Sequence, residues 1–307
     1  MLAPTDTTAY AIDSHWLRPQ EAPRRLLIAY AHPDDESFGN AGTILRYTST
    51  GAAVHYACAT RGEAGTVAPA YLAGYPDIAA LRTAEQLCAA DTLGLAGVHF
   101  LGYRDSGMPG APENQHPQSL VQAPRERVTG QLVALIRILR PQVLLTFGSY
   151  GGYGHPDHIA IHHAALAAFQ QAADPARFPE QVSAGLEPWA PAKLYYPTFR
   201  INLAGLLLAG LWLIGRDPRR FGQNGDIDLV QAINACTPVT TVVESGQFLL
   251  QKERAWACHA SQGGQSRRQW IPARLRRRLR GRESFTRVAP AWEAGAPPED
   301  DLFAGLG

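Results

Sequence analysis

The sequence predicts an α/β fold of Rossmann-like, doubly wound type: a mostly parallel sheet, helices on both faces, and an irregular C-terminal portion. Three observations carry that prediction. Short apolar runs at 25–30, 54–60, 98–101 and 143–147 have the length and the bounding turn signals of buried strands. The stretches 38–50, 77–93, 123–140 and 158–171, which follow them, suit helices. Strand and helix alternate, as they do in a parallel sheet wound with helices on both faces. In such sheets ligands bind beyond the carboxyl ends of the strands, where loops lead into helices.

Taken in order, residues 1–23 are polar with scattered prolines and read as a leader that rests on the body at Trp16. Arg25-Leu-Leu-Ile-Ala-Tyr30 is a short apolar strand ended by a His-Pro turn. The helix over 38–50 stops at Gly51, and the helix over 77–93 is closed by Gly94. Residues 24–288 form a single domain, within which 180–235 is a candidate substrate-covering insertion. The apolar run 201–214 falls short of the roughly 20 residues that span a bilayer, so a buried helix or covering segment is favoured over membrane contact. Residues 267–282 carry eight arginines and no acid. They read as an exposed cationic surface, with anionic lipid or phosphate binding as the sharper alternative. Residues 289–307 are expected as a tail, and no internal repeat is present.

The formal net charge of +1 provides no global field for nucleic acid. Cys58, Cys88, Cys236 and Cys258 include no CxxC pair, which fits neither a disulfide framework nor a zinc ribbon. They are expected as buried free thiols acting as small hydrophobes. The first ten residues lack a secretory pattern, so a cytoplasmic location is expected.

Two motifs carry the chemistry. In Ala31-His32-Pro33-Asp34-Asp35-Glu36, His32 and Asp35 lie three residues apart at a strand-to-helix turn and can face one divalent metal ion. Asp34 stays beside that point as a candidate general base, and Glu36 reads equally as a helix cap or a catalytic group. In Gly151-Gly152-Tyr153-Gly154-His155-Pro156-Asp157-His158, His158 supplies a third ligand. His155 is a candidate general acid or oxyanion partner, and Asp157 is placed to orient an imidazole. His162, four residues after His158, is a rival ligand.

At these residues the sequence resembles the LmbE-like (PIG-L) family of metal-dependent N-deacetylases, whose signature is AHPDDE followed much later by HPDH. The resemblance extends through Gly39–Ile44, Thr60–Glu63, Arg82 with Glu85, Tyr103–Met108 and Lys252–Gln262, and so covers about 25–288. Within the family it is most similar to the branch that deacetylates the glucosamine–inositol precursor of mycothiol and cleaves mycothiol conjugates. The resemblance implies one zinc ion on His32, Asp35 and His158, with iron(II) as the alternative cellular metal. It implies Asp34 as base, a protonated His155 stabilising the transition state, and Tyr153 as a polar group near the carbonyl. Glu63, Arg82 and Asp105 match positions that bind the sugar or inositol, and Met108 closes the same segment.

The implied reaction is hydrolysis of the N-acetyl group of an N-acetylglucosamine-type substrate, such as a glucosaminide of inositol or malate in low-molecular-weight thiol synthesis. Amide cleavage on a larger thiol conjugate or a lipid-linked amino sugar is the alternative within the fold. An iron oxygenase and a non-catalytic sugar-binding module are the rivals outside it. The expected partner is a small amino sugar, with no nucleic acid. Membrane contact is disfavoured, and self-association is left open.

Overall fold

A computed structural model describes residues 10–18, 21–199, 201–222, 225–264, 272–293 and 295–306. The strands are β1 (Asp13–Trp16), β2 (Arg25–Tyr30), β3 (Ala53–Thr60), β4 (Gly97–Tyr103), β5 (Val143–Thr146), β6 (Lys193–Thr198), β7 (Thr241–Glu244) and β8 (Arg282–Ala289). The helices are α1 (Asp35–Gly39), α2 (Ala41–Thr48), α3 (Ile78–Leu93), α4 (Arg125–Leu139), α5 (Gly151–Gly154) and α6 (Pro156–Gln171). They continue with α7 (Pro179–Ser183), α8 (Ile201–Leu213), α9 (Leu229–Asn234), α10 (Leu249–Cys258) and α11 (Ala273–Arg280).

One eight-stranded sheet runs in the order β1-β4-β3-β2-β5-β6-β8-β7. The five strands from β4 to β6 are parallel, while β1, β8 and β7 add antiparallel pairings at the margins. Chain order reverses at β2: β3 and β4 build outward on one side, β5 and β6 on the other. With right-handed crossovers, that reversal places α4 and α6 on the face opposite α2 and α3. Helix α4 packs on α6, and α3 packs on α10. The crevice between the ends of β2 and β5 is the topological switch point of the sheet.

The central strands form because their side chains are apolar on both faces: β3 is buried along its whole length, and β2 at all but its first residue. Helix α3 starts where Asp77 Oδ1 accepts the Ala80 amide at 2.8 Å and ends at Gly94, φ 73°. The single helix expected over 38–50 is instead two, α1 and α2, broken at Asn40. Tyr30 Oη donates to Asn40 Oδ1, so a buried tertiary bond fixes the break.

Four expectations are corrected. The leader is in part a strand: β1 pairs with β4, and Trp16 packs edge-on against His55 and His99. The range 180–235 is not wholly an insertion, since β6 lies inside the sheet; what stands outside is α8 and α9 with their loops. The helix there is Ile201–Leu213, and Leu206, Trp212 and Leu213, with Ile214 after it, are exposed, so this face is not buried as expected. No helix among the described residues is long and apolar enough to cross a membrane. The C-terminal segment is not a free tail. Leu302 and Phe303 are buried, Asp301 Oδ1 accepts Tyr47 Oη at 2.8 Å, and Glu299 gathers Lys193, Tyr195 and Arg287.

The thiols are also corrected. Cys88 and Cys258 are joined by a disulfide across 170 residues of sequence, leaving Cys58 and Cys236 free. Spacing could not show this, because only the packing of α3 on α10 brings the two together. Of the arginine-rich stretch, 267–271 lies outside the described residues. Its remainder is the exposed helix α11 and the start of β8.

One buried carboxylate ties the C-terminal third to the site-bearing half. Glu283 of β8 accepts the Gly42 and Thr43 amides at the start of α2, at 3.0 and 2.7 Å, and pairs with Lys252 of α10 at 2.5 Å. A carboxylate at a helix N-terminus is doubly favoured there, by free amides and by the helix dipole. Glu283→Ala is expected to destabilise the fold by about 3–5 kcal/mol in denaturant unfolding, because it leaves the Lys252 ammonium buried and unpaired. A loss below about 1 kcal/mol would show the pair to be solvated.

Candidate active site

Both motifs arrive at the switch point. His32 follows β2, and the loop after β5 carries α5 and the start of α6. His158 is fixed on three sides. Its Nδ1 lies 2.9 Å from the Gly151 carbonyl, its ring stacks on Phe147 with centroids 3.9 Å apart, and Tyr153 meets it edge-on at 4.9 Å. The carbonyl can only accept, so Nδ1 carries the proton and Nε2 presents a lone pair. Gly151, φ 64°, is required for this approach: a Cβ there would lie 2.6 Å from that of His158.

His32 is held from the opposite edge. Its Nε2 lies 3.2 Å from Asp157 Oδ2 and 3.5 Å from Asp105 Oδ1, carboxylates that can only accept when ionised. That leaves Nδ1 facing His158 Nε2 at 3.1 Å. Asp35 completes the point: Oδ2 is 3.7 Å from His32 Nδ1 and Oδ1 is 3.4 Å from His158 Nε2. Two ring nitrogens aimed at each other beside a carboxylate need a proton or a cation between them, and the donor set of two imidazoles and one carboxylate suits a divalent metal.

Two compact groups among the described residues could hold such an ion: His32 with His155 and His158, and His32 with Asp105, His155 and Asp157. The second uses the His32 edge whose N–H is taken by Asp157. Asp35 belongs to neither group, although its carboxylate lies 3.7 Å from His32 Nδ1 and 3.4 Å from His158 Nε2.

The charges follow from this crowding. Burial opposes ionisation of His32, but Asp105, Asp157 and Asp35 outweigh it and hold its pKa well above the usual range. Burial likewise opposes the Asp35 carboxylate, yet His158 and His32 hold it well below the usual range. Asp34 moves the other way: burial raises its pKa to about 6, Arg82 opposes the rise, and Asp35 adds to it. His155 is pushed down to about 2 by burial, then by His32 and His158. These groups oppose the protonated form of His155 that the resemblance implies. Its Nδ1 accepts the Asp157 amide at 3.1 Å as the cap of α6, so the ring proton sits on Nε2. Burial and the carboxylates of Asp35, Asp34 and Asp105 keep the Tyr153 phenol protonated.

Asp34 sits at φ 112°, a conformation rare for a residue with a side chain. Its neighbours maintain it: Arg82 Nη2 donates to Asp34 Oδ2 at 3.0 Å, and the Asp34 amide donates to Gln86 Oε1 at 3.2 Å. Arg82 also donates to the Gly62 and Pro33 carbonyls. Gly62, φ 70°, must lack a side chain, because a Cβ would lie 2.0 Å from Arg82 Nη1. Arg82, expected at the sugar, is buried beneath the turn and engaged with Asp34.

The other expected sugar contacts are placed as follows. Glu63 accepts the Arg61 and Asp105 amides, so its carboxylate joins two rim loops. Asp105 lies against His32 and accepts the Gly107 amide at 2.8 Å. Met108 is half-buried on the same loop. The rival ligand His162 belongs to neither metal-holding group; its Nδ1 lies 2.8 Å from the Phe147 carbonyl and its ring meets Tyr196, the environment of a core histidine.

Several partnerships escaped the sequence reading. Ser106 donates to Asp157 through both its amide and its hydroxyl, which fixes the carboxylate that orients His32. Glu36 is fully buried, with Oε1 3.4 Å from His259 Nε2. Burial lowers the His259 pKa, but Glu36 and Asp34 outweigh it and the net shift is upward. Glu85 accepts the amide and hydroxyl of Ser261 at 2.8 and 2.7 Å. The available signal was the spacing of Arg82, Glu85 and Gln86, three polar residues on one helix face that turns out buried.

A Rossmann-like sheet with a histidine–carboxylate cluster at its switch point defines a class of metal-capable α/β protein. The family described as GlcNAc-PI de-N-acetylase, PIG-L, matches residues 27–169. A 1D-myo-inositol 2-acetamido-2-deoxy-alpha-D-glucopyranoside deacetylase of Streptomyces avermitilis is 38% identical, over 92% of this chain and 97% of its own. One of the same name from Thermobispora bispora is 36% identical, over 93% of this chain and 100% of its own. The chain belongs to the PIG-L family. The N,N'-diacetylchitobiose deacetylase of Pyrococcus horikoshii shares the fold, with a TM-score of 0.59 at 20% identity over 88% of this chain and 85% of its own.

Proposed function

We propose that the protein is a zinc-dependent N-deacetylase that removes acetate from the glucosamine nitrogen of an inositol glucosaminide. The observation that carries the reading is the convergence of His32 Nδ1, His158 Nε2 and the Asp35 carboxylate on one point beside Asp34. The similarity to inositol-glucosaminide deacetylases, along almost the whole length of both chains, supports the substrate.

In this reading His32, Asp35 and His158 hold the ion, and Asp157, fixed by Ser106, keeps the His32 proton on Nε2. Zinc at such a site polarises an amide carbonyl and lowers the pKa of bound water toward roughly 7. Asp34 accepts the proton of the attacking water, a task suited to a carboxylate raised to about 6. The neutral His155 donates its Nε2–H, and Tyr153 its hydroxyl, to the oxygen on which negative charge develops. Burial, His32 and His158 all disfavour a second proton on His155, so the return of the proton to the departing amine is assigned to Asp34. Glu63 and Met108, half-buried on the rim loops, are the proposed sugar contacts, while Asp105 is buried against His32 and Arg82 acts through Asp34.

The test is acetate release from the inositol glucosaminide and from N-acetylglucosamine, by metal-quantified protein before and after chelation. Release that vanishes with the ion and returns on adding zinc supports the reading. Full release from the chelated protein would sink it.

The pH dependence has a definite sign. The base must be deprotonated, so kcat/KM is expected to fall tenfold per unit below an acid limb near the Asp34 pKa of about 6. Arg82→Gln removes the charge that opposes the rise, so its limb should move to higher pH. A limb that stays in place would detach it from Asp34.

A second reading, a glucosaminide carried on a lipid, draws on the exposed Leu206, Trp212, Leu213 and Ile214 of α8 and its loop. Helix α8 packs on α9, which packs on α5, and Gln231 of α9 accepts from Tyr150 Oη beside the second motif. Pelleting with vesicles at low ionic strength is the expected result of this reading, and protein left in the supernatant would discard it.

A further inference from the structure

The disulfide lies where two supports of the metal-binding turn meet. Helix α3 provides Arg82 and Gln86, which hold Asp34, and Glu85, which holds Ser261. The end of α10 provides Cys258, followed at once by His259, whose ring reaches Glu36 beside Asp35. Cys88, two residues after Gln86, is bonded to Cys258 with Cα atoms 5.7 Å apart. A single covalent bond therefore fixes the segment 258–262 against the helix that supports Asp34.

The contacts it reinforces are incompletely satisfied. His259 Nδ1 and Glu36 Oε2 are buried without a hydrogen-bond partner, and the bond between the two side chains is long at 3.4 Å. Burying such groups is unfavourable, so opening the segment to water regains their hydration. Among the described residues the opposing noncovalent ties include the Ser261–Glu85 pair. The crosslink keeps the segment's effective concentration at the turn high, and its loss tips the balance toward opening. Cys88 is exposed, so a dissolved thiol can reach the bond.

We propose that Cys88–Cys258 is a thiol-reducible brace, and that His259 is a positioning residue through which its state sets how firmly the turn 34–36, and with it the metal, is held. The proposal rests on the metal reading above. In the reducing direction a small dithiol is the co-reactant. Its thiolate attacks Cys88 Sγ, a mixed disulfide forms, and Cys258 leaves as a thiolate that takes up a proton. The second thiol then displaces Cys88 and closes a cyclic disulfide, so that two electrons have passed to the protein.

Three forms of the full chain decide it: oxidised, reduced with a trialkylphosphine and desalted, and Cys88→Ser. Alkylation in denaturant should find two free cysteines in the oxidised form, with a linked Cys88–Cys258 peptide on non-reducing mapping. Zinc loss to a chromogenic chelator should be about 10-fold faster from the reduced form and from Cys88→Ser, with the variant indifferent to reductant. Hydrogen exchange on the metal-free forms should rise at 33–37 and 258–263 when the bond is absent, while the β2 and β3 amides stay protected and show that the variant is folded. Equal zinc loss and equal exchange in all three forms overturn the proposal, as do four free thiols after mild oxidation. If the oxidised chain takes up no zinc, the metal reading fails, and the exchange data still decide the brace.

Discussion

Asp34→Asn is expected to reduce kcat by about 10²–10⁴-fold while leaving zinc bound at one per chain, as read by acetate release and metal quantification on one sample. The substitution keeps the size of the side chain, and asparagine is among the residues that best tolerate positive φ, so the turn at φ 112° is preserved. It removes the capacity to accept a proton. The proposed ligand atoms are untouched, because Asp34 faces Arg82 whereas Asp35 faces the two imidazoles. If the site empties of zinc instead, the division between base and ligand is wrong.

His158→Ala is expected to weaken zinc binding by more than about 100-fold and to abolish turnover, since losing a ligand exceeds the cost of losing an outer partner. The loss should be specific. The ring contributes Nε2 to the His32–Asp35 point and packs on Phe147 and Tyr153, so the variant also leaves a gap that added imidazole can enter. Partial recovery of zinc binding with imidazole would confirm that the missing element is the donor atom. Zinc retained at wild-type affinity would favour the His32–His155 arrangement.

The placement of these two residues at one site was readable because their signals are local. His32, Asp34 and Asp35 are one turn, and His158 opens a helix after a glycine-rich loop, so short motifs place them. The strands β2, β3 and β5 were readable for the same reason, each a continuous apolar run with a turn at its end. The sequence reading missed whatever depends on distant partners. Strand β8, with its charged residues, takes its place only because β6 and β7 flank it. Asn40 breaks a helix through a bond to Tyr30, and Cys88 finds Cys258 across two packed helices. In the site, Gln86 serves Asp34 from 52 residues away and Glu36 meets His259 from 223. Arg82 was recognised for its family position, but its partner Asp34, the proposed base, became visible only once α3 lay under the turn.

The place of β8 between β6 and β7 bears on how the chain comes into being. Synthesis runs from the N-terminus, so every side chain proposed for the chemistry has left the ribosome well before 282–289 emerge. During that interval the outer edge of β6 carries unpaired amides and carbonyls, and Glu283 is not yet there to meet α2. The nascent protein thus carries every proposed metal donor beside an unfinished sheet, and its last residues close the edge through which two such chains could join.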